Sequence, residues 1–257
     1  MSGTGQPGVG AIRDAAVAGG ARDAAREGGA DRGGFALVVF DWDGTLMDST
    51  AAIANAIRGS AADLGLPVPS HAQASHVIGL GLLEAIHTAV PAIDRSQVPA
   101  FVERYRVHFL RDDPGLKAFD GVPALLAELE GLGTLLAVAT GKSRAGLNRA
   151  LEQTGWRHHF ITTRCADEGT PKPDPWMLLD ICSELGLDPA QAVMIGDTTH
   201  DLGMALAAGS ASVAVTYGAH PEALLRAASP DAVVDSVEAL RQWLLARVAP
   251  FGSVAGE

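Results

Sequence analysis

Two aspartates one residue apart, Asp41 and Asp43, close an apolar run in the stretch FALVVFDWDGTLMD, residues 35–48. Carboxylates this close repel each other, so the pair is either a solvated turn, for which Asp and Gly are common residues, or part of a site that uses it. Later loops decide between these readings. Thr140-Gly141-Lys142-Ser143 follows a second apolar run, Gly196-Asp197-Thr198-Thr199-His200-Asp201 follows another, and Lys172 stands between two prolines in Pro171-Lys172-Pro173-Asp174-Pro175. Carboxylates, a hydroxyl and an ammonium on separate loops are the groups that together hold cations and anionic ligands. They do so only if the fold brings them to one place.

The elements between these loops supply that condition. Phe35–Phe40 is too short and too rich in Val and Leu for an amphipathic helix, and reads as a strand covered on both faces. Further strands are expected at Thr134–Ala139, Phe160–Thr163, Ala192–Ile195, Ser212–Thr216 and Ala232–Val234. Helices are expected between them at Pro123–Leu132, Arg144–Thr154, Pro175–Leu185, from the fourth loop to Ala208, near Pro221–Ala227 and over Val237–Val248. Strand–helix alternation is the pattern of a doubly wound α/β domain with a parallel sheet, whose ligands lie beyond the carboxyl ends of the strands. DWDGT, ATGKS and IGDTTHD all lie at such ends. They share one rim although a hundred or more residues separate them.

One stretch breaks the alternation. From a helix at Thr50–Leu64, capped by Asp48 or Ser49, helical periodicity continues through Ser70–Arg111 without a strand signal. That is too long for an ordinary crossover and predicts an all-helical cap. The expected organisation is a disordered tail at 1–34, an α/β core at 35–48 and 119–249, the cap at 49–118, and a short C-terminal tail at 250–257. Residues 1–34 are rich in Gly, Ala, Arg and Asp, too poor in large apolar side chains to form a packed segment, and their glycines interrupt any signal-like run.

Bulk properties narrow the function classes. The 257-residue chain is 47% hydrophobic, enough for a full core, with a net charge of −11 and 5% aromatic residues. The acidic balance argues against nucleic-acid binding, though a few placed cations can still hold one phosphate. No apolar run nears the roughly 18 residues of a membrane span, so no membrane association is expected. The two cysteines, Cys165 and Cys182, show no zinc-site spacing and fit reduced thiols in the cytoplasm.

With these loops assembled, the chain resembles the haloacid dehalogenase superfamily from residue 35 to about 245. Its four motifs stand in order: Asp41-Trp42-Asp43-Gly44-Thr45; Thr140-Gly141; Lys172 in KPDP; and Gly196-Asp197 with Asp201. A helical insertion between the first two resembles the cap of the phosphoglycolate phosphatase and β-phosphoglucomutase branch. The resemblance implies a Mg²⁺-dependent phosphatase of a small phosphorylated metabolite, phosphoglycolate-like or a sugar phosphate, acting as a monomer or small homo-oligomer. It implies that Asp41 is the nucleophile that becomes an aspartyl phosphate and that Asp43 is the general acid and then base. Thr140, the Gly141 amide and Lys172 would bind phosphate. Asp41, the Asp43 carbonyl, Asp197 and Asp201, directly or through water, would hold the metal. Gly79, Leu80 and Gly81 sit where caps of this branch meet the leaving group.

Plainer readings stand beside several of these. Asp201 could simply favour a helix N-terminal turn, and residues 78–83 could be an ordinary inter-helix turn. Lys142-Ser143 is no P-loop, since that motif needs a glycine where Leu136 stands, and Lys142 could face pocket or solvent. Arg104, Arg106, His108 and Arg111 fit a solvated helix face; His200 fits a surface or orienting role; Cys165, Trp156 and Trp176 fit packing. Among functions, a phosphomutase is the nearest alternative, although no basic residue in 78–83 supports it. Dehalogenase chemistry is disfavoured by Asp43 and the full GDxxxD motif. A non-enzymatic binding protein would be expected to have lost core residues, and none is lost.

Overall fold

The computed structural model describes residues 34–251; the expected tail at 1–34, apart from Gly34, and the last six residues lie outside them. Six parallel strands form one sheet in the order β3-β2-β1-β4-β5-β6: β1 Leu37–Phe40, β2 Leu135–Thr140, β3 Thr162–Cys165, β4 Ala192–Gly196, β5 Ala211–Val215 and β6 Ala232–Val234. β1 lies at the centre, paired with β2 on one side and β4 on the other. That position explains its uninterrupted apolar sequence, because all four of its side chains are buried. Val38 and Phe40 enter one cluster with Leu126, Leu147 and Leu240; Leu37 and Val39 enter another with Met177, Ile181 and Met204. The alternation of a strand thus fills both faces at once.

The expected strands and the observed ones share their middles, and their ends shift by up to two residues. The third moves from 160–163 to 162–165 because its register is set by β2, with Thr162 beside Ala137 and Cys165 beside Thr140. The last helix, Val237–Leu245, stops before the expected Val248, whose chain instead bridges Phe35.

Between β1 and β2 the chain forms only helices: α1 Thr50–Asp63, α2 His71–His76, α3 Leu82–Ala89, α4 Val98–Asp112 and then α5 Val122–Gly131, which returns to the sheet. α1 and α4 pack through Ile53, Ile57, Phe101 and Phe109 into an apolar cluster that shares no fully buried residue with the sheet's clusters. Ser49 stands at the start of α1, yet its side chain caps no helical N–H. Its hydroxyl is committed elsewhere, as the site shows.

After β2 the alternation is regular: α6 Arg144–Thr154, α7 Trp176–Leu185, α8 Thr199–Ala208, α9 Glu222–Ala227 and α10 Val237–Leu245. α6 and α8 begin on real caps, with Ser143 accepting from the Gly146 amide and Thr198 forming a capping box with Asp201. These caps fix the loops that leave β2 and β4.

Candidate active site

The chain leaves β1 with the Asp41 amide still bonded to the Ile195 carbonyl of β4, so the first aspartate is held in the sheet rather than in a free turn. Gly44 then adopts φ 82°, and any side chain there would strike the Asp197 carboxylate. Glycine at this point lets the loop after β1 close onto the loop after β4. Gly218 meets Asp197 in the same way from the loop after β5.

What these approaches assemble is a dry charged cluster. Asp41, Lys172, Asp197 and Asp201 are each 0% exposed. Lys172 Nζ lies 2.8 Å from Asp41 Oδ1 and 2.6 Å from Asp201 Oδ1. Asp197 accepts the Thr45 hydroxyl at 2.8 Å and the Ala219 amide at 2.7 Å. Asp201 accepts from the Thr198 hydroxyl at 2.6 Å as well as from Lys172, so its helix-start role and its place in the cluster hold together. Asp41 Oδ2 has no hydrogen-bond donor among the described residues. Oxygens of Asp41, Asp197 and Asp201 come within 4.8 Å of one another.

Three carboxylates around one ammonium leave a formal excess of two negative charges. The energetic sign of that excess is visible in the acidities. Burial, opposed by Lys172 and reinforced by the Asp201 charge, pushes the Asp41 carboxyl from 3.8 up to about 7. Burial raises Asp197 well above the ordinary carboxylate range, with the charges of Asp41 and Asp201 adding to it. Burial opposes the Lys172 ammonium, yet the Asp201 and Asp41 carboxylates outweigh it and raise its pKa. The cluster therefore holds its lysine charged and lacks positive charge for its acids.

Asp43 is kept apart from this cluster. Its Oδ1 accepts the Ser49 hydroxyl at 2.6 Å and pairs with Lys142 Nζ at 3.0 Å. Of the two orientations open to Lys142, the structure thus shows the inward one, with its ammonium also 4.9 Å from the Phe109 ring of α4. Ser49 is corrected from helix cap to Asp43 partner. Thr140 is fully buried and its oxygen accepts the Lys142 amide at 3.2 Å. A side chain at Gly141 would collide with the backbone of Gly79 and Leu80, so the glycine permits the cap loop to rest on the rim.

A cavity of about 340 Å³ lies between the rim and the helices. Asp41, Asp43, Thr140, Gly141 and Lys142 line it from the sheet side; Gly79 and Leu80 line it from the other. Gly81 does not, and packs towards Ala166 and Pro171. Lys172, Asp197 and Asp201 lie beside Asp41 but outside the lining. Of the four α4 residues assigned to solvent, Arg106 is exposed but also borders the cavity, while His108 bonds Asp63 at 2.9 Å. Trp156 and Cys165 are buried in packing as expected.

Reading the chain by motif misses the partners that depend on folded backbone. The Ala219 amide on Asp197 is one. Another is a histidine contact across the fold: Thr199 N–H donates to His220 Nδ1, which leaves the proton on Nε2, and that Nε2 donates to the His76 carbonyl at 2.9 Å. His200 Nε2 contacts the same carbonyl at 3.1 Å, giving this residue the orienting role rather than the surface one. In sequence the one hint of this is His200, the single histidine beside Asp201.

A buried acid–lysine cluster at the carboxyl end of a parallel sheet, reached through a cavity roofed by inserted helices, is the architecture of a capped α/β hydrolase. The family model for haloacid dehalogenase-like hydrolases matches residues 38–215. The chain belongs to that family and is a phosphoglycolate phosphatase-like hydrolase within it. It is 42% identical over 207 residues to the "Probable phosphatase IndB" of Dickeya dadantii, a match covering 78% of this chain and 89% of that one. It is 32% identical over 192 residues to the N-acetylmuramic acid 6-phosphate phosphatase of Pseudomonas aeruginosa, covering 72% and 84%. A predicted phosphoglycolate phosphatase from Haemophilus somnus, known by crystal structure, superposes with TM-score 0.72 at 25% identity, covering 81% of this chain and 97% of the other.

Proposed function

We propose that the protein is a Mg²⁺-dependent phosphatase that hydrolyses a small phosphorylated metabolite in the cytoplasm through an aspartyl phosphate on Asp41. The observation that carries this is the division of labour between Asp41 and Asp43. Both border one cavity, but Asp41 belongs to the buried cluster and Asp43 is drawn off it by Ser49 and Lys142. In the first half-reaction an Asp41 oxygen bonds to phosphorus as the bond from phosphorus to the leaving oxygen breaks, and Asp43 gives that oxygen its proton. In the second, Asp43 takes a proton from water, whose oxygen attacks phosphorus. The bond to Asp41 breaks, phosphate departs and both carboxyls are restored.

The donor set fits a hard divalent cation. It is all oxygen, it carries an excess of two negative charges, and one of its buried oxygens, Asp41 Oδ2, has no donor. Asp41, Asp197, Asp201 and the Asp43 carbonyl would hold Mg²⁺, which supplies charge that offsets the repulsion between a carboxylate and a phosphate dianion. Lys172 steadies the Asp41 carboxylate, and Thr140 with the Gly141 amide would receive phosphate oxygens at the rim. Residues 35–48 and 119–249 form the catalytic core in this reading, and 49–118 the cap.

Phosphate release from a panel of small phosphomonoesters tests the proposal, with phosphoglycolate and sugar phosphates included. Activity should need Mg²⁺ and stop on chelation; activity that survives in excess chelator would overturn the metal role. At Mg²⁺ about 100 times its dissociation constant the folded state should gain about 2.7 kcal/mol. For a domain of this size that raises the melting temperature by roughly 5–10 °C.

A further inference from the structure

We infer that the leaving group is an apolar, ring-sized body rather than a glycolate or a sugar. This rests on the phosphatase reading above and assigns the substrate class of the same cavity. The cap contributes Ile53, Ile57, Leu82, Tyr105 and Phe109 from its helices and Ile78 from a turn, and among the described residues no carboxylate or carboxamide borders the cavity beyond Asp41 and Asp43. A sugar needs several hydrogen-bond partners when it leaves water, and unpaired hydroxyls are costly to bury. Three of the polar side chains that are present have part of their hydrogen-bonding capacity engaged. Lys142 pairs with Asp43, Arg149 pairs with Asp113 at 2.9 Å, and the Ser143 hydroxyl caps α6. Only the Tyr105 hydroxyl and Arg106 make no hydrogen bond or ion pair with a described residue.

Size argues against glycolate. A cavity near 150 Å³ accepts benzene, and this one measures about 340 Å³. The two carbons of glycolate would leave most of it unfilled. Tyr105 and Phe109 both line it, stacked on each other with centroids 5.9 Å apart at 11°, and give its wall aromatic character. Arg106 and Leu110, both exposed, mark the outer end of the lining, opposite in exposure to fully buried Asp41. Arg106 would there meet an acceptor carried on the far edge of the ring.

Turnover of alkyl esters with similar leaving-group acidity separates this inference from its alternatives. With Mg²⁺, kcat/KM for 2-phenylethyl phosphate should exceed that for phosphoglycolate and ribose 5-phosphate by at least tenfold. Leu82→Asn, at a half-buried lining position, should reduce that preference about fivefold, mainly through KM. Calorimetric binding of non-hydrolysable analogues gives a second readout that needs no catalysis. 3-Phenylpropylphosphonate should bind at least tenfold more tightly than 3-phosphonopropionate. Equal binding of the two phosphonates, or preferred turnover of phosphoglycolate or ribose 5-phosphate, would overturn the inference while leaving the phosphatase reading intact. Selective phosphonate binding without hydrolysis of any ester would support the apolar pocket and sink the phosphatase reading instead.

Discussion

On the sheet side of the cavity, Asp41, Asp43, Thr140 and Lys142 are held by bonds of defined length and partner. On the helical side the lining is mostly Ile, Leu, Val, Tyr and Phe, with Arg106 at its exposed end, and is held mainly by packing. The two sides are stabilised by opposite means. The charged cluster is costly to bury and persists because the sheet, Gly44 and Gly218 leave its members nowhere else to go. The helical cluster is favourable to bury and tolerates exchange of one apolar side chain for another. In the proposed reading, chemistry resides where the structure is over-determined, and selectivity where it can be repacked.

Asp41→Asn is the sharpest way to break the charged side. Loss of the proposed nucleophile should lower kcat by about 10⁴-fold or more, measured by phosphate release. Stability should move the other way. Asn removes one of three buried like charges whose acidity already shows the strain, so the metal-free variant should melt higher than metal-free wild type. Undiminished turnover would eliminate the aspartyl-phosphate route; a lower melting point would show that the ion pair with Lys172 outweighs the repulsion.

Phe101→Ala attacks the opposite side. Phe101 is fully buried within the helical cluster, and truncation should cost about 3–5 kcal/mol. Because that cluster shares no fully buried residue with the sheet's clusters, hydrogen exchange should accelerate in α1 and α4 far more than in β1 and β4. Uniform acceleration would mean that the two regions unfold as one unit.

Ser49→Ala tests whether Asp43 must be kept off the cluster. Without the 2.6 Å hydroxyl contact, only Lys142 restrains the carboxylate, and kcat should fall roughly tenfold with KM little changed. An unchanged kcat would show that Lys142 suffices.

These partners mark the boundary of what the chain discloses before folding. Asp41, Lys172, Asp197 and Asp201 were legible because each stands in a loop bordered by recognisable elements, and a parallel sheet places the ends of β1 and β4 side by side. The six strands and the helical insertion were legible by period and length, although β3 slid by two residues to match β2. Local sequence offers Ser49, like Asp48, only as a cap, because it shows the distance from α1 and not the approach to Asp43. The Ala219 amide and the His76 carbonyl carry no side-chain signature at all; any residue type could offer the carbonyl, and any but proline the amide. The same holds for cavity shape, which depends on how α1 and α4 cross the rim.

The smallest expected effect lies where the two sides touch. His220 and His200 both reach the His76 carbonyl, and burial lowers the pKa of each below 6.5, more than the His76 contact raises it. A histidine whose folded pKa is depressed binds fewer protons folded than unfolded, so stability falls as pH drops through and below 6.5. At neutral pH both are uncharged, and the Thr199 amide requires His220 Nδ1 as an acceptor. Protonating His220 turns that nitrogen into a donor facing another donor and breaks the contact that orients Nε2 towards the helices. Melting measured from pH 7.5 down to 5.5 should therefore fall more steeply for wild type than for His220→Gln, which lacks the titrating ring. Parallel slopes would place the acid sensitivity elsewhere.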